Sequence, residues 1–171
     1  MLRKRLVDQM LDLSHATALE IDANTRADLR AIASDVAADL TPLAVSRGRS
    51  NMFKDAGATE VHGDADAIGR ALRNVVENAV SHTPPRTVVE VVAEPDRQCS
   101  VRDHGPGIPA AQRRAVLERF YRLDKSRTEG AGLGLAIAST IMELHGGEIR
   151  LEDAPGGGAL VRLIFPDASR P

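Results

Sequence analysis

The hydrophobic period of this chain switches at Pro84-Pro85. Before the prolines, Ile68, Leu72, Val75, Val76 and Ala79 recur at helical spacing, behind an Asp64 placed to cap the helix start. After them, "RTVVEVVAEP" and "RQCSVRDHG" are β-branched runs parted by a turn at Pro95-Asp96, which predicts two antiparallel strands. The pattern then swings back. "LGLAIASTIMELHGG" predicts an amphipathic helix with Leu133, Ile137, Ile141 and Leu144 on one face and Gly146-Gly147 as its stop. "EIRLED" and "GALVRLIFP" predict two further strands around a Gly-rich turn at Gly156 to Gly158. Helices and strands in this alternation predict an α/β fold: a two-layer sandwich of a mixed, mainly antiparallel sheet with helices on one face.

Upstream, Leu2, Leu6, Met10, Leu13 and Thr17 lie close to a heptad seam, so residues 1–20 read as a helix. Either a partner helix or the chain's own domain covers that stripe. A second helix is predicted from about Thr25 to Arg47, with Pro42 kinking or ending it. Gly48 and Gly57 bracket a short strand-like piece around Asn51 to Lys54. A length of 171 residues suits one domain with an appendage. The formal net charge of -2 argues against a dedicated nucleic-acid binder, which carries a basic surplus. No apolar run approaches the ~18 residues of a membrane span, and no signal segment is expected at the start. The single Cys99 forms no internal disulfide and supports no cysteine metal cluster, which fits a reducing cytoplasm. With no Trp, one Tyr and three Phe, the core must be aliphatic.

Four motifs carry chemistry. Asn74 and Asn78, in "RNVVENAVSHTPP", sit one helical turn apart, so both amides emerge on one face among apolar neighbours. Asp103, in "VRDHGPGIP", ends a strand and enters a turn. It is either a local cap or a carboxylate held at a cleft to accept from a ligand amino group. Gly105 and Gly107 would clear room for a flat ring. From Gly105 to Gly132 the chain is polar and glycine-punctuated, with one short helix expected near Ala110 to Leu117. Arg119, Arg122, Lys125 and Arg127 cluster there, as a solvated charged loop or as phosphate ligands. In "EGAGLGLAIA", Gly130, Gly132 and Gly134 stand where a loop enters a helix, a place where backbone N–H groups attract anions. It is neither a P-loop, since no Gly-Lys dipeptide exists, nor a Rossmann loop, since no strand precedes it.

Taken in order, the asparagine pair, the aspartate followed by Gly-Pro-Gly, Phe-Tyr-Arg and Gly-x-Gly-Leu-Gly-Leu resemble the catalytic, ATP-binding domain of two-component sensor histidine kinases. These belong to the Bergerat-fold ATPases. The resemblance runs from about Ile21 to Pro166 and divides the chain into 1–20, a remnant of the second dimerisation-hairpin helix, and 21–171, the ATP-binding domain. It implies ATP and Mg²⁺ as ligands, with Asn78 as the metal ligand, since a hard cation takes amide oxygen and keeps waters. It implies Asn74 and Arg122 as catalytic groups. The nucleotide-binding set it implies is Asn78, Ser81, His82, Asp103, Gly105, Gly107, Ile108, Tyr121, Arg122, Gly130, Gly132, Leu133, Gly134 and Leu135. Asp103 would read the adenine amino group.

The implied reaction is γ-phosphoryl transfer to a histidine on a dimerisation helix, with a response regulator downstream. In gyrase-type ATPases and anti-sigma serine kinases, the position of Asn74 holds a glutamate that activates water or serine. A neutral histidine needs no such base. His15 is not read as the acceptor, because its surroundings resemble the end of the second hairpin helix. The implied partners are therefore the dimerisation and phosphoacceptor helices of the same kinase, with a homodimer through residues 1–20 and no nucleic acid. The parent protein is expected to be anchored at the inner membrane with this domain in the cytoplasm. Ser81 replaces a common lysine, His82 a common aromatic, and Glu129 one of a glycine pair. These departures keep open a non-catalytic nucleotide-sensing or interaction module, beside the anti-sigma-type serine kinase.

Overall fold

The structure is a computed structural model that describes residues 25–123 and 131–167. The predicted helix over residues 1–20, and Gly130 with Lys125, Arg127 and Glu129, lie outside the described residues. The elements run in chain order: β1 (Arg26–Asp28), α1 (Leu29–Ser46), β2 (Ser50–Asp55), β3 (Glu60–His62), α2 (Ala65–His82), β4 (Val88–Glu94) and β5 (Gln98–Arg102). Single 3-10 turns follow at Ala110–Gln112 and Ala115–Leu117, then α3 (Gly134–Leu144), β6 (Glu148–Asp153) and β7 (Ala159–Ile164). Five strands form one sheet in the order β2-β4-β5-β7-β6, with β2 parallel to β4 and every other pairing antiparallel. β1 and β3 form a separate two-stranded ribbon. The predicted mixed sheet with helices on one face is what forms.

Period decides which face is buried. On β4 the residues alternate, with Val89, Val91 and Ala93 turned inward; Cys99 and Val101 on β5 and Val161 and Leu163 on β7 continue that layer. The helices lie on it, with α2 in the middle of three. Ile68, Leu72, Val75, Val76 and Val80 of α2 are fully buried, and each such side chain contributes about 1.5–3 kcal/mol on leaving water. The core is aliphatic, as the composition requires. The outer sheet face is instead a ladder of charges: Arg162 pairs with Glu94 at 2.6 Å and Glu152 at 3.0 Å, Ser100 donates to Glu94, and Arg102 pairs with Glu90 at 3.5 Å.

Several expectations change. Thr25 to Asp28 is not helical: Arg26–Asp28 is β1, and Asp28 caps α1 by accepting from the N–H groups of Arg30 and Ala31. Pro42 neither ends α1 nor leaves it short. The helix carries on to Ser46; just before the proline the Ala37 carbonyl accepts from Thr41 Oγ1 and Asn51 Nδ2, while the carbonyl that a residue-42 N–H would have met is that of Ala38. The short helix expected near Ala110 to Leu117 is two separate 3-10 turns. Leu144 lies 41 % exposed, because α3 buries Leu135, Ala136, Ile137, Ala138, Ile141 and Met142 and has turned outward by its last residue. His145 is buried in this core and stands edge-on to Phe165. Its Nε2 accepts from the Asp64 N–H at 3.1 Å, so Nδ1 carries the proton and donates to the Ile141 carbonyl at 2.7 Å.

Cys99 sits in this core, and burial, helped by the nearby Glu94 carboxylate, pushes its thiol up to about 12. A thiol reagent at pH 8 is therefore expected to label native chain at least about a thousandfold more slowly than chain in denaturant. Equal rates in the two states would show that β5 opens freely. The unfolded thiol ionises near 8.5, so this contribution to stability is complete below that pH and drains away as pH climbs towards 12.

Candidate functional site

The site begins at the C-terminal end of α2. That helix starts on Asp64, whose carboxylate accepts from the Ala67 N–H at 2.7 Å, and it stops at His82 because Pro84 and Pro85 cannot continue it. The residue between, Thr83, is buried, and its hydroxyl accepts from the His104 N–H at 3.0 Å while bonding Thr87 Oγ1 at 3.2 Å. Sequence reasoning missed Thr83. Its position after a helix end and before two prolines is a capping signal, but nothing local says that it would reach His104 in the turn after β5.

Thr83 fixes the turn that carries Asp103. Asp103 is 5 % exposed, and its Oδ1 accepts from two backbone N–H groups, Gly105 at 2.8 Å and Ala159 at 3.0 Å. Its Oδ2 accepts from no described residue. A buried carboxylate with one oxygen tied down and the other left open is a preset acceptor for a ligand donor. Two glycines permit this packing. A Cβ on Gly105 would come within 2.8 Å of the His82 carbonyl oxygen, and one on Gly158, at φ +95°, within 2.1 Å of the Asp103 carbonyl oxygen. Gly107, at φ +76°, closes the same turn against Gly158. Ile108 is buried in the core behind it.

The asparagine stripe runs along α2 away from this pocket. His82 bonds the Asn78 carbonyl through Nδ1 at 2.8 Å and is otherwise exposed. Asn78 is half-buried, and its side-chain amide has no hydrogen-bond partner among the described residues. Asn74 is held: its Nδ2 donates to the Arg70 carbonyl at 2.9 Å, and its Oδ1 would lie 3.3 Å from a Cβ on Gly134. Gly134 opens α3, whose N-terminus has no side-chain cap, so first-turn N–H groups stay available beside Asn74. Leu133 and Leu135 anchor that helix start in the core. Ser81 is committed elsewhere. Its hydroxyl donates to the Glu77 carbonyl and accepts from Arg47 Nη1, both at 2.8 Å, which draws the end of α1 onto the last turn of α2.

The loop between the two glycine motifs is pinched at its base. Phe120 donates its N–H to the Gly132 carbonyl at 2.9 Å, and Gly132, at φ +70°, lies so close to Tyr121 that a Cβ would meet the Tyr121 carbonyl oxygen at 2.6 Å. Tyr121 packs half-buried on the core, and the Arg122 stem lies against Gly132. The fold thus gathers Asp103, Gly105, Gly107, Thr83 and His82 at one end of α2, Asn74, Gly134 and Leu133 further along it, and Tyr121, Arg122 and Gly132 at the loop base. Among the described residues no cluster of His, Cys, Asp and Glu could hold a metal ion, so a hard cation here would rest on the Asn78 amide and on phosphate oxygens. The open Asn78 amide fits that use.

Residues 63–169 match the family described as histidine kinase-, DNA gyrase B- and HSP90-like ATPases. The chain is 43 % identical over 116 residues to the signal transduction histidine-protein kinase/phosphatase MprB of Mycolicibacterium smegmatis, covering 63 % of this chain and 24 % of that protein. It spans about a quarter of the length of such relatives. A solved structure of the mycobacterial sensor histidine kinase MprB superposes with a TM-score of 0.69 at 30 % identity, over 83 % of this chain and 96 % of that one. The ATP binding domain of PrrB from Mycobacterium tuberculosis does so with a TM-score of 0.66 at 26 % identity, over 86 % and all of the two chains.

Proposed function

Because the chain belongs to the histidine kinase-, DNA gyrase B- and HSP90-like ATPases, as the ATPase catalytic domain of a sensor histidine kinase, we propose that it binds Mg-ATP and transfers the γ-phosphoryl group to a histidine on a dimerisation helix outside the described residues. A response regulator would receive the group next. No helix among the described residues is long and apolar enough to cross a membrane, which suits a domain that works in the cytoplasm while another part of a parent kinase holds the membrane.

The observation that carries this reading is the Asp103 carboxylate, tied through Oδ1 and open at Oδ2, at the head of a helix face bearing Asn78 and Asn74. Asp103 would accept from the adenine amino group, on a turn that Gly105 and Gly107 let pack closely against the His82 carbonyl and Gly158. His82 and Ile108 would flank the ring. Asn78 would hold Mg²⁺, which supplies charge neutralisation for the phosphates. The first-turn N–H groups of α3 at Gly134 would cradle phosphate oxygens, and Arg122 would balance charge as the phosphoryl group leaves. Asn74 offers an amide and no base, which suits an imidazole nucleophile better than serine or water.

Calorimetric titration of ATP tests this directly. Wild-type chain is expected to bind ATP more tightly with Mg²⁺ than with chelator, and Asn78→Ala to lose about tenfold or more of that Mg-dependent affinity. Absence of ATP binding by the wild type in both conditions would remove the catalytic assignment. Transfer of labelled phosphate to a separately supplied acceptor hairpin would then distinguish a kinase from a nucleotide sensor.

A further inference from the structure

Four arginines carry a buried guanidinium nitrogen without a hydrogen-bond partner among the described residues: Arg70, Arg97, Arg102 and Arg113. Three of them are nonetheless held by carboxylates, Arg97 by Asp167 at 3.4 Å, Arg102 by Glu90 at 3.5 Å and Arg113 by Asp153 at 2.6 Å. Arg70 has no carboxylate partner among the described residues, although Asp66 stands one turn before it on α2. A half-buried cation with no counter-charge costs free energy unless a ligand supplies the anion.

Its position says which anion. Arg70, Asn74 and Asn78 are spaced four apart and form one slowly turning stripe on α2. The Asn74 amide donates to the Arg70 carbonyl, which ties the two turns together. The Asp103 pocket lies at the opposite end, where Thr83 and His82 meet His104 and Gly105. A nucleotide whose base rests on Asp103 must therefore extend along α2 from residue 83 towards residue 70, past Asn78 and then Asn74. Helical side chains lean towards the helix N-terminus, so Arg70 stands just beyond Asn74 at the far end of that path. Only the terminal phosphate reaches it.

We propose that Arg70 binds the γ-phosphate and gives the site its preference for the nucleoside triphosphate over the diphosphate. This rests on the nucleotide reading above. It concerns a residue that the asparagine and glycine motifs do not include.

The test is titration of wild type, Arg70→Gln and Arg70→Lys with a Mg-bound non-hydrolysable ATP analogue and with Mg-ADP, beside thermal unfolding of each. Loss of one charge-assisted contact is expected to weaken the analogue about tenfold in Arg70→Gln, with ADP unchanged to within about twofold. Arg70→Lys, which keeps the charge but not the fork, should recover part of the loss. Equal losses for both nucleotides, or no loss for the analogue, would overturn the assignment and leave nucleotide binding itself intact. Failure of the wild type to bind either nucleotide would instead overturn the proposed function, and this inference with it.

Discussion

Asp103→Asn is expected to lower ATP affinity about a hundredfold while leaving the fold standing. The substitution keeps size and shape but makes one carboxylate oxygen an NH₂ group. Two backbone N–H groups, of Gly105 and Ala159, aim at Oδ1, so the amide must present its oxygen to them. The new NH₂ would then occupy the place of Oδ2 and, with adenine seated as proposed, face its amino group, donor against donor. A site built to hydrogen-bond one edge rejects the wrong edge strongly for this reason. Inosine triphosphate, which offers a carbonyl where adenine offers its amino group, should lose less than ATP in the same variant. The checks are calorimetric titration with the two nucleotides and a thermal melt. An unchanged ATP affinity would mean that Asp103 only caps its turn, and an equal fall for both nucleotides would mean that the pocket had collapsed.

The second large effect is structural. Gly158→Ala is expected to cost about 3–5 kcal/mol, combining left-handed strain with overpacking. The added Cβ would sit 2.1 Å from the Asp103 carbonyl oxygen and 2.8 Å from its carbon, at φ +95°. The obstacle is backbone, which cannot swing aside as the end of a side chain can. β7 starts at the next residue, and Ala159 supplies one of the two N–H groups on Asp103, so the clash reaches the pocket as well as the sheet. On a domain of this size the midpoint of thermal unfolding should fall by roughly 10 °C. Gly157→Ala is the internal control. It shares the positive φ, at +101°, but a Cβ there meets nothing within 4 Å, so only the strain of about 1 kcal/mol remains. Equal melting of the two variants would show that the turn moves freely and that the close approach is of no consequence.

These two residues also mark how far the sequence could be read. The place of Asp103, at the end of a β-branched run and the start of a glycine turn, was legible from the residues around it, and the stripe of Asn74 and Asn78 followed from helical spacing alone. The strands from Val88 to Arg102 and from Glu148 to Ile164 were legible from their period. What was hidden depends on contacts between distant parts of the chain. Nothing near Gly158 reveals that the Asp103 backbone passes over it, and nothing near Thr83 reveals that it holds the His104 N–H. The β1–β3 ribbon was missed because three-residue strands carry no period. Arg26 to Asp28 was absorbed into a neighbouring helix for the same reason. Pro42 misled because tertiary packing holds the helix on either side of it, with Leu40 and Ala44 both buried in the core. Ser81, a member of the implied nucleotide-binding set that replaces a common lysine, has its hydroxyl engaged by Arg47 from the end of α1, a contact that local sequence does not reveal.

Among the described residues the sheet ends on β6, a strand of six residues that pairs there with β7 alone. A free edge of this length offers a template on which a second copy of the chain could add itself, and so a route to polymers. The residues of β6 on the outer face run Glu148, Arg150, Glu152, while Ile149 and Leu151 turn inward. That charge order reads the same in both directions. In-register parallel pairing of two such edges sets Glu against Glu and Arg against Arg, and antiparallel pairing centred on Arg150 does the same. Like charges opposite each other across a ladder are destabilising. In these two registers the edge discourages its own duplication, whereas a slip by two residues, which sets Glu opposite Arg, would relieve the repulsion, so the charge order selects against the in-register pairing of two copies.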